Sequence, residues 1–232
     1  FTSEGRRFRD WGENGEVNLL AAGRPEDERK GFEYLILAYG LLRQAGLNNL
    51  RLNISGGNAT PRLRAIIHAK DIPDVNFLGM LPQEDFAEAY RSADIVIAPS
   101  TGGEGFNRTI AEARASGALV IATNIKGPRD AIGKDLKPFM ASPANPSDLA
   151  GKIADALMIS EEGKTVLRKT SQEDAIRNFA WKVIAPQHLQ YYHEIVKKHG
   201  ALLDWSRVQE SLLRFIPGFR QVVVNDRLRR AA

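Results

Sequence analysis

Short apolar runs alternate with helical patterns over the first 140 residues, and this alternation constrains the fold more than any other feature. The runs that we predict to be strands are residues 16–22, 50–55, 75–78, 93–99 and 118–123. Between them, apolar residues recur at the three- and four-residue spacing of amphipathic helices. Strands joined through helices pair in parallel with right-handed crossovers. The sequence therefore predicts an α/β fold with a doubly wound, Rossmann-like parallel sheet.

The remainder of the chain has a different pattern. We predict a short edge strand at 137–140, because Pro138 is tolerated only at the edge of a sheet. From Asn145 onward the pattern is helical, with helices expected from about 147, over 160–178 and over 181–198. These boundaries predict a polar lead-in or linker (1–16), a Rossmann-like domain (17–198) and a C-terminal extension (199–232).

Composition excludes several classes of protein. No apolar run is long enough to span a membrane, and no signal peptide is present. Cysteine is absent, which excludes disulfides and thiolate metal sites and fits a reducing, cytoplasmic setting. The formal net charge of +4 suits anionic ligands but is too mild to indicate a nucleic-acid partner.

The extension at 199–232 leaves two interpretations open. Its apolar residues could form one helix face, and Arg220, Arg227, Arg229 and Arg230 make its end basic. Such a helix could dock on protein, or it could lie against a membrane surface or a partner. The sequence also begins at Phe1 rather than Met, which indicates a processed chain or a fragment.

A glycine-rich stretch at 102–117 is the strongest functional signal. It lies between the strands predicted at 93–99 and 118–123, so its glycines form the loop that opens a crossover helix. Ligands of open α/β sheets bind at this end of the strands. The first N–H groups of such a helix have no partner within it and can bind an anion.

Common nucleotide and catalytic motifs are absent. The Gly163-Lys164-Thr165 ending of a Walker loop has Met158 in place of the first glycine, and no G-x-G-x-x-G follows the first strand. The four histidines lack metal-ligand spacing. No G-x-S-x-G nucleophile turn and no Asp-x-Asp pair for a divalent ion is present.

Polar and glycine residues follow each predicted strand. Arg24 and Lys30 flank the turn after the first strand, Gly56 follows the second, and Leu81 lies just beyond the third. Because the carboxyl ends of parallel strands share one edge, we expect these residues to converge with the stretch at 102–117.

Ordered motifs across 17–198 resemble one family. Glu104 and Glu112 are separated by seven residues, with Glu-Gly-Phe at the first and Glu-Ala-x-Ala-x-Gly at the second. This pattern resembles the donor-binding signature of the retaining glycosyltransferases of family 4, which have the GT-B fold. The turn Gly23-Arg24…Lys30-Gly31 is similar to that family's Gly-Arg…Lys-Gly turn, especially in its mannosyltransferase-type members.

The resemblance implies that a nucleoside-diphosphate sugar is the substrate and that neither a cofactor nor a metal is used. Arg24 and Lys30 would neutralise the diphosphate, and Glu104 would contact the sugar; these three are the expected catalytic residues. Glu112 would bind the ribose diol. The full set of expected donor-binding residues is Gly23, Gly56, Leu81, Gly105, Phe106, Asn107, Arg108, Thr109 and Glu112.

The resemblance also implies an incomplete enzyme. Members have two Rossmann-like domains, and this chain matches the donor-binding one, so an N-terminal acceptor domain or a partner subunit is expected elsewhere. The alternative is a non-catalytic nucleotide-sugar-binding module. The chain departs from the family pattern at Asn107, Arg108, Arg114 and Asp130, so its donor could differ from that of any similar member.

Overall fold

The structure, a computed structural model, describes residues 15–199. The chain divides into two compact units, residues 1–175 and residues 176–232. The expected lead-in before residue 15 and the extension from residue 200 onward lie outside the described residues.

The first unit is built on six parallel strands in the order β3-β2-β1-β4-β5-β6. The strands are β1 (Val17–Ala22), β2 (Leu50–Ser55), β3 (Val75–Gly79), β4 (Ile95–Ala98), β5 (Leu119–Thr123) and β6 (Met140–Ala141). β4 and β5 are buried along their whole length. This burial explains their uninterrupted apolar sequences, because helices cover both faces of a parallel sheet.

The strand order reverses between β1 and β4. Leu19 of β1 pairs with Leu52 of β2 on one side and with Ile95 of β4 on the other. The chain moves outward through β2 and β3, then returns to the centre and moves outward through β5 and β6. Crossovers therefore diverge at β1 and β4 and leave a crevice at their carboxyl ends, where such sheets bind ligands.

Helices connect the successive strands and also follow β6. They are α1 (Phe32–Gln44), α2 (Pro61–Ala69), α3 (Gln83–Ser92), α4 (Arg108–Ala115), α5 (Lys126–Ala131), α6 (Pro146–Leu157), α7 (Glu161–Phe179) and α8 (Trp181–His199). The inner faces of α1, α4 and α6 join the sheet in a hydrophobic core. The doubly wound parallel fold expected from the sequence is confirmed.

One local prediction near the end of the sheet is wrong. Residues 134–139 form a 3-10 helix that contains Pro138, and the edge strand is only Met140–Ala141. A proline has no N–H to donate, so the backbone pairs with β5 only beyond it. The short helix α5 lies between β5 and this 3-10 helix, where no element was predicted.

The described part of the second unit is helical, as expected. α8 covers the helix predicted at 181–198, and Trp181 and Tyr191 on it are exposed. Within residues 15–199, no helix is both long enough and apolar enough to cross a membrane.

Candidate functional site

The turn after β1 and the loop after β4 are in direct contact at the crevice. The Thr101 N–H donates to the Arg29 carbonyl at 2.8 Å, and Arg29 Nη1 donates to the Gly103 carbonyl at 3.2 Å. Gly31 has a φ of 70° and lies against the Pro99 carbonyl so closely that a Cβ would overlap it. Glycine is needed here for both reasons, and it lets the two segments meet.

Lys30 and Glu104 form an ion pair across this contact. Lys30 Nζ lies 2.6 Å from Glu104 Oε1, although the residues are 74 positions apart in the chain. The Lys30 side chain is 25% exposed and that of Glu104 is 14% exposed. The structure thus brings together two of the three residues expected to be catalytic, at an accessible edge of the sheet.

Arg24, the third expected catalytic residue, has a more peripheral position. Its side chain is 74% exposed and lies 3.7 Å from Asp27. Asp27 caps the 3-10 turn at 28–30 and binds the Arg29 guanidinium at 2.7 Å. The hydrogen bond from Arg29 is the main reason that the pKa of Asp27 is lowered. Of the three cations in this turn, Lys30 is therefore the least exposed and Arg24 the most exposed.

Backbone contacts join the turns after β1, β2 and β3. The Gly23 N–H donates to the Ser55 carbonyl at 2.9 Å, and the Gly56 N–H donates to the Gly79 carbonyl at 2.8 Å. Leu81 is half-buried two residues beyond Gly79. Gly23 and Gly56 are therefore adjacent, as predicted, and Leu81 follows β3 at the same edge of the sheet.

The start of α4 faces the same edge. Asn107 is the N-cap residue and is buried, but its side chain does not bond the helix N–H groups. Gly105 and Phe106 precede it and are exposed, as is Arg108 in the first turn. The first N–H groups of α4 are thus not capped by the Asn107 side chain, which leaves them suited to an anionic ligand.

Glu112 is half-buried one turn into α4. The Tyr90 hydroxyl donates to Glu112 Oε2 at 3.4 Å and also hydrogen-bonds with Thr109. Burial raises the pKa of Glu112, while the nearby Arg108 and the Tyr90 hydrogen bond act in the opposite direction. Burial likewise raises the pKa of Tyr90. Tyr90 was not among the residues predicted for the site, because nothing in its spacing links it to Glu112.

Ser100 and Gly127 also contact the Glu104 loop, and both were missed. The Ser100 hydroxyl donates to Glu104 Oε1 at 2.9 Å. Gly127, in α5, lies so close to the carbonyls of Glu104 and Gly105 that a Cβ would overlap them. The position of Ser100 at a strand end, four residues before Glu104, was a usable signal. The approach of α5 was not visible in the sequence.

Two buried arginines, Arg114 and Arg168, hold the C-terminal end of α4. Arg114 is 1% exposed; its Nε donates to Ser171 Oγ at 2.9 Å and its Nη1 to the Ala131 carbonyl at 2.7 Å. It also pairs with Asp174 of α7. Arg168 of α7 donates to the Gly117 carbonyl at 2.9 Å. The departure from the family pattern at Arg114 is therefore a structural contact between α4 and α7.

An open pocket of about 380 Å³ lies between the turn after β1 and the start of α2. Carboxylates from Glu26, Asp27, Glu28 and Glu33 dominate its lining. Its arginine, Arg62, already pairs with Glu33 at 2.6 Å and with Glu28 at 3.1 Å. This pocket is poorly suited to a diphosphate, because its one cation is neutralised and its carboxylates would repel phosphate.

No cluster of three or more His, Asp or Glu side chains that could hold a metal ion occurs within residues 15–199. Arg24, Lys30 and the start of α4 are the groups in this region that were expected to meet an anion.

Comparison with known proteins gives a consistent result. A family model described as "Glycosyl transferases group 1" matches residues 16–158. A phosphatidyl-myo-inositol mannosyltransferase of Mycobacterium tuberculosis is 31% identical over 186 residues, which are 79% of this chain and 48% of that protein. The chain spans about half the length of the curated relatives it matches.

Solved structures show the same fold. Sucrose-phosphate synthase from Thermosynechococcus elongatus has a TM-score of 0.67 and 27% identity, over 79% of this chain and 46% of that one. The Anabaena protein HepE in complex with UDP-glucose has a TM-score of 0.69 and 21% identity, over 78% of this chain and 49% of that one.

Proposed function

The chain belongs to the group 1 glycosyl transferases, and on that premise we propose that it is the donor-binding half of a retaining glycosyltransferase. It would bind a nucleoside-diphosphate sugar and take part in moving the sugar to an acceptor. The name of the mannosyltransferase relative and the UDP-glucose bound to the HepE structure support a donor of this class.

The Lys30–Glu104 pair is the observation that carries this proposal. It places a cation and a carboxylate 2.6 Å apart at the crevice between β1 and β4. A nucleotide sugar presents phosphate oxygens next to sugar hydroxyls, and these two ligand groups need opposite partners. Lys30 would bind the diphosphate, whose negative charge grows as the sugar bond breaks. Glu104 would accept hydrogen bonds from the sugar hydroxyls.

The other residues would complete the donor site. Glu112 would accept hydrogen bonds from the two ribose hydroxyls, and the first N–H groups of α4 would meet phosphate or sugar oxygens. Arg24 is exposed enough to turn toward the diphosphate. Backbone at Gly56 and Leu81 would contact the nucleoside. These cations and N–H groups supply positive charge from the protein itself, so we propose a reaction that is independent of metal and cofactor.

We further propose that the acceptor is bound by a domain or subunit outside these 232 residues. The support is that the curated relatives are about twice as long as the region they share with this chain. By itself the chain would then bind donor without efficient transfer. A non-catalytic nucleotide-sugar-binding subunit is the second candidate, supported by the same difference in length.

Residues 199–232 would supply a peripheral membrane contact, on the basis of their apolar and basic sequence. Co-sedimentation with anionic phospholipid vesicles, comparing the full chain with a chain ending at residue 198, tests this part of the proposal. Equal sedimentation of the two chains would contradict it.

Calorimetry tests the proposed ligand class. The chain is titrated with UDP, GDP, ADP and the corresponding UDP-glucose, GDP-mannose and ADP-glucose. We expect one nucleotide series to bind, and Glu112→Ala to weaken that binding about tenfold through loss of the ribose hydrogen bonds. Glu88→Ala, at an exposed carboxylate of α3, is the matched control and should leave binding unchanged.

The outcomes separate the candidates. Failure of all six compounds to bind would contradict both functions. Binding with sugar transfer only after a second polypeptide is added would favour the subunit. Transfer by the chain alone at the rate of a full-length relative would show that the proposed division of the active site is wrong.

A further inference from the structure

Ser100 is a buried hydroxyl bonded directly to the proposed sugar-binding carboxylate. It follows β4 by two residues and is 2% exposed. Its Oγ donates to Glu104 Oε1 at 2.9 Å, and Lys30 Nζ lies 2.6 Å from the same oxygen. One carboxylate oxygen of Glu104 therefore has two protein donors, one on a long flexible side chain and one on a short rigid one.

Ser100 is itself fixed by the neighbouring strand. Thr123, the last residue of β5, is buried, and its hydroxyl donates to the Ser100 carbonyl. Thr123 is in turn paired with Ala141 of β6 in the sheet. Serine has a single side-chain torsion before its oxygen, so little freedom remains once its backbone is held. The position of the hydroxyl is thus set by the sheet.

The backbone of the Glu104 loop is held by contacts with two other segments. α5 contacts the carbonyls of Glu104 and Gly105 at Gly127, and Arg29 bonds the Gly103 carbonyl at 3.2 Å. The backbone of Glu104 has little room to move under these contacts. The remaining freedom of Glu104 is rotation of its side chain. Within residues 15–199, Lys30 and Ser100 bond its carboxylate directly, and Arg29 attracts it at longer range.

Within residues 15–199, the hydrogen bonds to the Glu104 carboxylate end on Oε1, which leaves Oε2 for another donor. Oε2 is therefore the acceptor that Glu104 presents to a ligand hydroxyl. If Lys30 binds the diphosphate, its hold on Oε1 weakens, and the Ser100 hydroxyl remains on that oxygen. We propose that Ser100 is a positioning residue that keeps Glu104 directed at the sugar of the donor, an inference that rests on the proposed function.

A double-mutant cycle tests this role. Ser100→Ala, Glu104→Ala and the double variant are titrated by calorimetry with UDP, GDP, ADP, UDP-glucose, GDP-mannose and ADP-glucose. The measured quantity is the affinity for the nucleotide sugar divided by the affinity for its nucleotide. Ser100→Ala should lower this ratio about tenfold, because a hydrogen bond to a charged group is lost. Nucleotide affinity itself should stay unchanged.

If Ser100 acts through Glu104, two further results are expected. In the Glu104→Ala background, Ser100→Ala should cause no further fall in the ratio, since no carboxylate remains to position. Ser100→Thr keeps a hydroxyl and should preserve the ratio. Ser92→Ala, at an exposed serine of α3, is the matched control and should match the parent chain.

Several results would overturn the inference. One is an unchanged ratio in Ser100→Ala; another is an equal loss for nucleotide and nucleotide sugar; a third is the same loss in both Glu104 backgrounds. Should Ser100→Ala not fold, Ser100→Cys keeps a side chain of similar shape with a weaker donor, and the same affinity ratio is measured for it. Failure of the parent chain to bind any of the six compounds would instead contradict the proposed function, so the two failures are distinguishable.

Discussion

The two ends of α4 use charged residues in opposite ways. At the N-terminal end, Lys30 and Glu104 form a partly exposed pair beside the start of the helix. At the C-terminal end, Arg114 is almost fully buried and donates to the carbonyls of Ala131 and Ser171 as well as pairing with Asp174. Both sets of contacts join segments that are far apart in the sequence.

The partners explain why one end is suited to ligand binding and the other to stability. A lysine paired with a single carboxylate at an accessible edge can exchange that partner for phosphate, with little change in protein stability. An arginine whose donors bind buried backbone carbonyls cannot exchange its partners in this way. If its side chain moved away, those carbonyls would stay buried without a hydrogen-bond donor. The sequence position of a charged residue in a helix therefore does not show whether it binds a ligand or stabilises the fold. Its bonding partners in the structure do.

The largest effect is expected at the buried end. Arg114→Ala should lower the free energy of unfolding by about 3–5 kcal/mol, because it leaves a large cavity and unpaired carbonyls. Chemical denaturation measures the loss. Arg129→Ala, at an exposed arginine of α5, is the control and should change stability by less than about 0.5 kcal/mol. If Arg114→Ala lost as little stability as Arg129→Ala, the C-terminal end of α4 would not have the stabilising role described above.

Lys30→Ala should weaken ligand binding and leave stability nearly unchanged. The loss of a charge-assisted bond to phosphate should weaken nucleoside-diphosphate binding about 10- to 100-fold by calorimetry. The melting temperature should barely change, because the ion pair is partly exposed. Lys169→Ala, at an exposed lysine of α7, is the matched control. Equal affinity in Lys30→Ala and Lys169→Ala would show that the pair at the crevice is not a phosphate site.

Glu112 adds a smaller, pH-dependent effect. Burial raises its pKa in the folded chain above the ordinary value of 4.5, so the folded state favours the protonated form. The cost of burying the carboxylate is then present at neutral pH and disappears as pH falls through the raised pKa. Glu112→Gln should be more stable than the parent at neutral pH, with a difference that shrinks toward pH 4.5.

Denaturation of the ligand-free parent and Glu112→Gln across this pH range measures the difference. Glu88→Gln, at the exposed carboxylate of α3, should show no such trend. A difference that grows on acidification would have the wrong sign for a carboxyl whose pKa is raised by burial.

The smallest effect is expected for Tyr90→Phe. The variant removes a long bond to Glu112, at 3.4 Å, and the hydrogen bond with Thr109, so it should cost about 1 kcal/mol of stability. The bond to Glu112 also lowers the pKa of that carboxyl, so its removal should raise this pKa further. NMR titration of the Glu112 carboxyl carbon measures the change. A fall in that pKa in Tyr90→Phe would show that the hydroxyl does not stabilise the carboxylate.

The sequence predicted the fold well and the site in part. Alternating apolar runs located five strands, and the glycine-rich stretch located the carboxyl end of β4. The resemblance to family 4 glycosyltransferases is confirmed at the level of family and fold. The roles assigned to Arg24, Lys30, Glu104 and Glu112 remain predictions, although the structure brings Lys30 and Glu104 together.

What the sequence could determine by itself was the order of strands and helices and the edge of the sheet where polar loops gather. These follow from local periodicity and from the handedness of parallel crossovers. Only the tertiary structure decided which charges meet. The Lys30–Glu104 pair, the burial of Arg114 and the contact of Ser100 with Glu104 each depend on strand register and helix packing, and residue type alone does not encode a partner.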